Sequence, residues 1–161
     1  MSVRSKILTV SSLRPKLEKL RRSGRKIVFT NGCFDILHIG HVSYLEEARK
    51  KGDVLVIGLN SDGSVKNIKG PKRPIVPQAE RAYILAALEV VDFVVIFKEN
   101  TPQKLIAQLR PHVIAKGADW KGKEIVGATF VKSYGGKVAL IKFVPRHSST
   151  NMIETILKRC A

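Results

Sequence analysis

The sequence predicts one α/β domain: a doubly wound, five-stranded parallel sheet with helices on both faces. Three observations lead there. Short runs rich in β-branched and aromatic residues recur at 27–30, 54–59, 93–97, 112–115 and 137–144, apolar without alternation. That pattern marks strands buried on both faces. Segments with helical start and stop signals lie between these runs. The length of 161 residues, 44% of them hydrophobic, suits one domain around one core.

Each element has a local reason. Ser11-Ser12 can cap a helix over 13–23 that Gly24 ends. Ile27-Val28-Phe29-Thr30 is a buried strand, and Asn31-Gly32 with Asp35 marks a turn. A helix over 41–51 places Val42, Leu45 and Ala48 on one face and stops at Gly52. After the strand 54–59, residues 60–76 read as a polar loop. Pro77 suits the first turn of a helix running to about 90, with Glu80 near its positive end. Thr101-Pro102 opens a helix to 109 in the same way. His112 is read as a strand residue with no role. Residues 124–134 read as a helix ended by Gly135-Gly136, and the last helix runs from Ser149-Thr150 to near Arg159. Connections in such a sheet are right-handed. Residues 1–26 form a basic helical extension packed on the domain, which spans 27–161. No linker, repeat or low-complexity segment interrupts it.

Composition excludes several classes. Apolar content is too high for disorder, and no uncharged apolar run approaches the ~18 residues of a membrane span. The first residues are broken by charge every few positions, unlike a signal peptide. Two cysteines, Cys33 and Cys160, make no disulfide framework. A cytoplasmic, reducing location is therefore expected. The formal charge of +16 points to an anionic partner. Residues 1–26 carry nine Lys or Arg against Glu18 alone, and a second cluster (Lys66, Lys69, Lys72, Arg73) lies in a Gly/Pro-rich stretch.

In a doubly wound sheet, ligands bind outside the carboxyl ends of the strands, where the strand order reverses. The first strand leads into Thr30-Asn31-Gly32-Cys33-Phe34-Asp35-Ile36-Leu37-His38-Ile39-Gly40-His41. This is neither a dinucleotide fingerprint nor a Walker loop. It sets two histidines, three apart and with Gly40 between them, at a helix mouth. Helix N–H groups there favour phosphate, Gly40 allows close approach, and both imidazoles can donate to phosphate oxygens. A zinc pair would need more ligands than the nearby Asp35. No Ser-His-Asp or Cys-His set is suggested, so no covalent enzyme intermediate is needed.

Gly32-Cys33-Phe34-Asp35 followed by His38-Ile39-Gly40-His41 resembles the G-x-F-D-x-x-H-x-G-H signature of the cytidylyltransferase-like nucleotidyltransferases. The longer Thr30–Asp35 form is similar to the heptose 1-phosphate adenylyltransferases of ADP-heptose synthesis. Asn60-Ser61-Asp62, Lys69-Gly70, Arg73-Pro74, Glu80-Arg81, Leu85-Ala86-Ala87-Leu88, Val91-Asp92, Pro111, Lys116-Gly117-Ala118-Asp119 and Ser149-Thr150-Asn151 follow in that branch's order.

The resemblance implies a Rossmann-like, HxGH-type domain that transfers an adenylyl group from ATP to D-glycero-β-D-manno-heptose 1-phosphate for lipopolysaccharide inner-core synthesis. It implies His38 and His41 on the triphosphate and Lys69, with weaker candidates Lys72 and Arg73, on the attacking phosphate. It places Thr30, Asn31, Gly32, Cys33, Phe34 and Gly40 around the nucleotide, and Asp35 against the loop and the sugar phosphate. Ser149 and Thr150 face the outgoing phosphates, and Arg146 reaches phosphate as well. Lys116 and Gly117 join the nucleotide site, with Asp119 and Trp120 near the substrate. Trp120 is read either as a stacking face or as a packed indole. The His147-Ser148-Ser149-Thr150 stretch departs from the branch's Ser-Thr-Thr motif. Cys33 has no chemical role, and Cys160 is inert. Mg²⁺ accompanies ATP with no direct side-chain ligand. A homodimer, a stand-alone enzyme and a separate heptose kinase are expected, with no membrane partner.

Two other readings compete with this one. The first is a different phosphate ester in the same superfamily, such as glycerol 3-phosphate with CTP or a flavin mononucleotide with ATP. The second is RNA binding, since His38-Ile39-Gly40-His41 also matches the His-Ile-Gly-His signature of class I aminoacyl-tRNA synthetases. Residues 1–26 contain no aromatics to interleave with their cations, unlike a single-strand platform. Titrating labelled RNA at rising salt discriminates RNA binding from the small-phosphate reading, because real RNA binding through several phosphates weakens steeply as salt rises.

Overall fold

The computed structural model describes residues 2–142 and 148–160. The five apolar runs are strands β1 (Ile27–Gly32), β2 (Val54–Asn60), β3 (Phe93–Phe97), β4 (Val113–Gly117) and β5 (Lys137–Ile141). They pair in parallel in the order β3-β2-β1-β4-β5. The first strand is therefore central, flanked by Leu55 and Val113 at Val28. The chain winds outward from β1 to β3, then crosses back to lay β4 on the other side of β1. The order reverses between β1 and β4.

Strand alternation divides the apolar residues between two layers. Val28, Leu55, Ile57, Leu59, Val94, Val113 and Ala115 face one way. They pack against α2 (Ile39–Arg49) through Tyr44, Leu45 and Ala48, and against α4 (Gln78–Ala87) through Ala82, Leu85 and Ala86. Ile27, Phe29, Val54, Val56, Phe93, Val95 and Ile114 face the other way. That layer is closed by Leu13 and Leu17 of α1 (Val10–Arg22), by Leu105, Ile106 and Leu109 of α5 (Gln103–Leu109), and by Val131 of α6 (Ala128–Ser133). At Gly58 a Cβ would sit 2.8 Å from the Phe29 ring and 3.0 Å from Leu105, so the close seat of α5 on the sheet requires glycine there.

The N-terminal residues are built into these layers. Leu13 and Leu17 are fully buried. The Leu8 N–H donates to Val94 O at 3.0 Å, beside an Ile7–Val94 bridge at the sheet edge. Lys6 Nζ donates to Val91 O at 2.8 Å, and the Arg21 guanidinium donates to the carbonyls of Leu109 and Arg110. Two of the nine basic residues in 1–26 thus tie the segment to backbone carbonyls.

Several boundaries move for local reasons. α1 starts at Val10 because Thr9, not Ser11-Ser12, is the cap, and its side chain accepts from Ser12 N. Asn31 and Gly32 are not a turn; they extend β1 because Gly58 and Leu59 of β2 continue alongside. α2 begins earlier, at Ile39, with His38 as its cap residue. The expected loop 60–76 contains α3 (Asp62–Lys69), capped by Ser61, which accepts from Ser64 N at 3.2 Å. Its sequence is polar and contains Gly63, and only Ser64 and Val65 are buried, so no apolar stripe announces it. α4 ends at Ala87 rather than near 90, since Leu88 turns extended and Val91 enters the core. α6 is shorter than 124–134, and β4 runs on to Gly117. Val144, in the expected fifth strand, lies outside the described residues. His112 has a structural role after all. Its Nδ1 accepts from Ile27 N at 2.9 Å, joining the start of β1 to β4. Helix α7 (Ser149–Cys160) closes the described chain with none of its residues buried.

Leu17→Ala is expected to destabilise the protein by about 2–5 kcal/mol, the cost of a core cavity. Urea unfolding checks it. A loss near zero would mean that α1 is not part of the core.

Candidate active site

A cavity of about 770 Å³ opens at the carboxyl ends of the strands, around the reversal between β1 and β4. The ends of β1, β2 and β4, the mouths of α2 and α7, the end of α3 and the loop after β3 line it. Among the described residues no group of three or more His, Cys, Asp or Glu is placed to hold a metal ion.

The two histidines meet at the mouth of α2. His38 is the extended cap residue, and its carbonyl accepts from His41 N at 2.9 Å. The next turn returns His41 to the same side, so the imidazoles stack with centroids 3.9 Å apart and planes at 24°. Phe34 packs on His41 at 5.3 Å. Gly40 is buried in the first turn. The His41 Nδ1 is buried and makes no hydrogen bond to the protein. Burial first, then His38 and Lys69, pulls the His41 pKa down to about 4. His41 is therefore neutral at pH 7, and an arriving anion would favour its protonated form. The α2 N-terminus adds its own partial positive charge.

The loop between β1 and α2 is held by one buried cation and one buried anion. The Arg81 side chain is wholly inaccessible. Its Nη1 donates to Cys33 O at 2.5 Å and to Asn60 O at 2.9 Å, its Nε to Val76 O at 2.9 Å, and its Nη2 to Asp62 Oδ1 at 2.7 Å. Phe34 is thereby kept at φ +44°, an unfavourable backbone region for a bulky residue. Asp35, its side chain 1% exposed, accepts from Ile75 N at 2.9 Å, Val76 N at 2.8 Å and Arg73 Nε at 2.5 Å. Burial pushes the Asp35 carboxyl up, but those N–H groups and the Arg73 guanidinium outweigh it and hold the pKa below its ordinary value.

Asp35 holds the loop through the N–H groups from which it accepts, and it also lines the cavity. The arrangement revises two expected sites. Arg73 is drawn onto Asp35 and does not line the cavity. Lys72 is exposed and does not line it either, whereas Lys69, at the end of α3, does. The physical cause is competition, because a buried carboxylate takes the nearest guanidinium.

On the other side of β1, Lys116 is buried at the end of β4. Its Nζ donates to Asn31 Oδ1 at 2.6 Å and sits 5.2 Å from the Trp120 ring centroid. Burial lowers its pKa to about 8, with Asp119 opposing. Asn31, Gly32, Cys33, Phe34, Gly40, Gly117, Asp119 and Trp120 line the cavity as expected from sequence. Thr30 does not: it is fully buried, and its hydroxyl pairs with the Tyr44 hydroxyl at 2.8 Å. Burial pushes the Cys33 thiol pKa up, with Lys69 the foremost of the cations opposing, so it is protonated at neutral pH. Ser149 donates to Ile36 O at 3.2 Å, and Ser149 and Thr150 reach the cavity at the mouth of α7. Arg146 and His147 lie outside the described residues.

Sequence reasoning assigns no role to the cavity-lining Tyr44, Asn60, Ile68, Asn100, Thr101, Pro102 and Val126. Tyr44 and Asn60 lie in segments that carry quoted motifs, but nothing in those motifs marks them as facing a ligand, and the tertiary fold alone brings the rest to the cavity. Arg81 is visible only as part of a motif order.

The fold agrees with comparisons to known proteins. The cytidylyltransferase-like family model matches residues 29–155. Bifunctional protein HldE of Syntrophotalea carbinolica is 55% identical over 155 residues, which is 96% of this chain and 32% of that protein. The Pelobacter propionicus HldE is 54% identical over 155 residues, with the same coverage. The chain thus spans about a third of the length of these relatives. Among solved structures, the lipopolysaccharide core biosynthesis protein from Thermoplasma volcanium GSS1 superposes with a TM-score of 0.62 at 30% identity. The match covers 75% of this chain and 98% of that one.

Asp35 yields a pH signature. With its folded pKa below the unfolded value of about 3.9, its stabilisation is complete above that value and is lost as pH falls through the folded pKa. Asp35→Asn is expected to be less stable at pH 7 and to show a shallower loss of stability below about pH 4. Urea midpoints from pH 2 to 7 check this, and parallel curves would contradict it.

Proposed function

This chain belongs to the cytidylyltransferase-like family of nucleotidyltransferases, and on that premise we propose that it adenylylates D-glycero-β-D-manno-heptose 1-phosphate with ATP. The products are ADP-heptose and pyrophosphate. The observation that carries the reading is the stacked His38–His41 pair at the mouth of α2, inside a cavity that also presents Lys69 and Lys116. The heptose acceptor is supported by the identity to the HldE proteins over this domain and by the likeness to a lipopolysaccharide core biosynthesis protein.

The chemistry is an in-line displacement. An oxygen of the acceptor's phosphate forms a bond to the α-phosphorus of ATP. The bond from that phosphorus to the bridging β-phosphate oxygen breaks, and pyrophosphate leaves. The attacking phosphate is already anionic at pH 7, so no general base is required. The protein's work is positioning and charge stabilisation. His38 and His41 donate to the triphosphate, and His41, neutral in the free site, takes up positive character as charge develops. Lys69 holds the attacking phosphate. Ser149 and Thr150 face the departing pyrophosphate with the α7 N-terminus behind them. Asn31, Gly32, Phe34, Gly40, Lys116 and Gly117 receive the nucleotide, with Asp119 and Trp120 beside it. Mg²⁺ arriving with ATP would neutralise phosphate charge. The donor set fits an ion held by triphosphate and water, since among the described residues no group of three or more His, Cys, Asp or Glu is gathered to hold one. A sugar kinase reaction must supply the acceptor, since the substrate is already phosphorylated. A homodimer and a cytoplasmic setting fit this role.

Pyrophosphate release measured over four nucleoside triphosphates and a panel of sugar and polyol phosphates tests the assignment. Turnover is expected with ATP and the heptose 1-phosphate, and turnover only with CTP and glycerol 3-phosphate would overturn it. His41→Ala is expected to lower kcat by about 10²–10³-fold, as when one preorganised donor is removed.

A further inference from the structure

The cavity has two sides, separated by the central strand. Toward β4 lie Lys116, Gly117, Asp119 and Trp120. Toward β2 and β3 lie Asn60, Ile68, Lys69, Asn100, Thr101 and Pro102. The second side carries one cation and several neutral polar groups. That is an unusual lining for a site that receives a charged ester, and it suits a ligand with one phosphate and many hydroxyls.

Two of these groups are oriented by hydrogen bonds, Asn100 at the exposed rim and Asn60 in the buried wall. Asn67 Nδ2 donates to Asn100 Oδ1 at 3.2 Å. The Asn100 carbonyl oxygen is thus turned to α3, and its NH₂ group, with two donors, is what remains for a ligand. Asn60 is set the opposite way. Its Nδ2 donates to Ser64 Oγ at 2.9 Å, and Ser64 Oγ donates to Glu99 O at 2.8 Å. Its carbonyl oxygen is the group left to accept. The same chain of bonds ties Asn60 to the loop that carries Asn100. An acceptor and a donor on one wall, beside Lys69 and over the apolar Ile68 and Pro102, match a sugar ring: hydroxyls to the amides, C–H faces to the apolar pair, phosphate to the lysine.

We infer that Asn60 and Asn100 read hydroxyl groups of the acceptor, and that Asn100 is a specificity-determining residue for a polyhydroxylated sugar 1-phosphate. The inference rests on the functional reading above and deepens it. Asn67 is the positioning residue for Asn100.

The test follows pyrophosphate release while D-glycero-β-D-manno-heptose 1-phosphate is varied at saturating ATP, and then ATP at saturating sugar phosphate. Asn100→Leu is expected to raise KM for the sugar phosphate about tenfold, with KM for ATP and kcat within about twofold. Asn100→Asp keeps the oxygen that accepts from Asn67 but lacks the donors, and is expected to raise that KM at least as much. Asn67→Ala is expected to raise it by a smaller factor with the same split. Asn100 is exposed at the cavity rim, and KM for ATP reports the integrity of each variant. The inference is overturned if Asn100→Leu leaves the sugar KM unchanged, if both KM values rise together, or if Asn100→Asp behaves as wild type. In those cases wild-type turnover still upholds the functional reading. Wild-type turnover with glycerol 3-phosphate and with no sugar 1-phosphate would overturn both.

Discussion

The Arg81 guanidinium is the interaction on which the rest of the site depends. Removing a cation from water is costly unless its donors are satisfied. Here the charge is met by Asp62, and the other donors meet carbonyls of Cys33, Asn60 and Val76. Those groups belong to the β1–α2 loop, the end of β2, the start of α3 and the segment before α4. One rigid, forked group thus joins the loop after β1, the β2–α3 junction and the segment before α4. Asp35 completes the clasp from the opposite charge, gathering Ile75, Val76 and Arg73. The histidines at the mouth of α2 are presented by this clasp. Without it, the left-handed turn at Phe34 and the stack of His38 on His41 would have to be held by the loop alone.

The same economy governs the charged side chains in the cavity. Lys116 and His41 are both shifted toward their neutral forms by burial. The free site therefore presents donors and helix termini more than fixed charge. A ligand rich in phosphate would strengthen each of these groups by its arrival, which places the favourable interaction where negative charge is densest. The large positive total of the chain is a different matter. Within residues 1–26, Lys6 and Arg21 hold backbone carbonyls, while Arg14, Lys16, Lys19, Arg22, Arg25 and Lys26 are exposed or partly so. For these the general effect is attraction of anionic substrates toward the protein.

The parts legible in the sequence are those carried by local pattern. Four strands are visible because burial leaves nearly unbroken apolar runs, and the fifth, at the sheet edge, is visible as an apolar run although only Ile141 of it is buried. His38 and His41 are visible because a helix mouth, a glycine and two imidazoles form a short contiguous unit. Helix α3 is not visible, because a polar eight-residue helix with a glycine inside it shows no apolar stripe and is held by Ser61 and by its neighbours. Asn31-Gly32 reads as a turn for a related reason. Strand length there is set by the neighbour: β2 runs on past Gly58, so β1 does too. Asp35 and Arg73 each carry a chemical expectation from sequence, and their mutual pairing draws Arg73 off the cavity lining while Asp35 stays on it.

By itself, the sequence determined the parallel sheet covered on both faces, the histidine pair at the mouth of α2 and the family signature around it. All of these rest on residues within one turn or one strand of each other. Only the tertiary structure decided which groups face the ligand. Asn60, Asn100 and Lys116 reach one cavity from three different strand ends. Thr30 and Arg73, adjacent to the motif or quoted with it, are turned to internal partners. A buried polar group takes whatever partner the packing brings to it, and that partner can lie forty residues away in the chain.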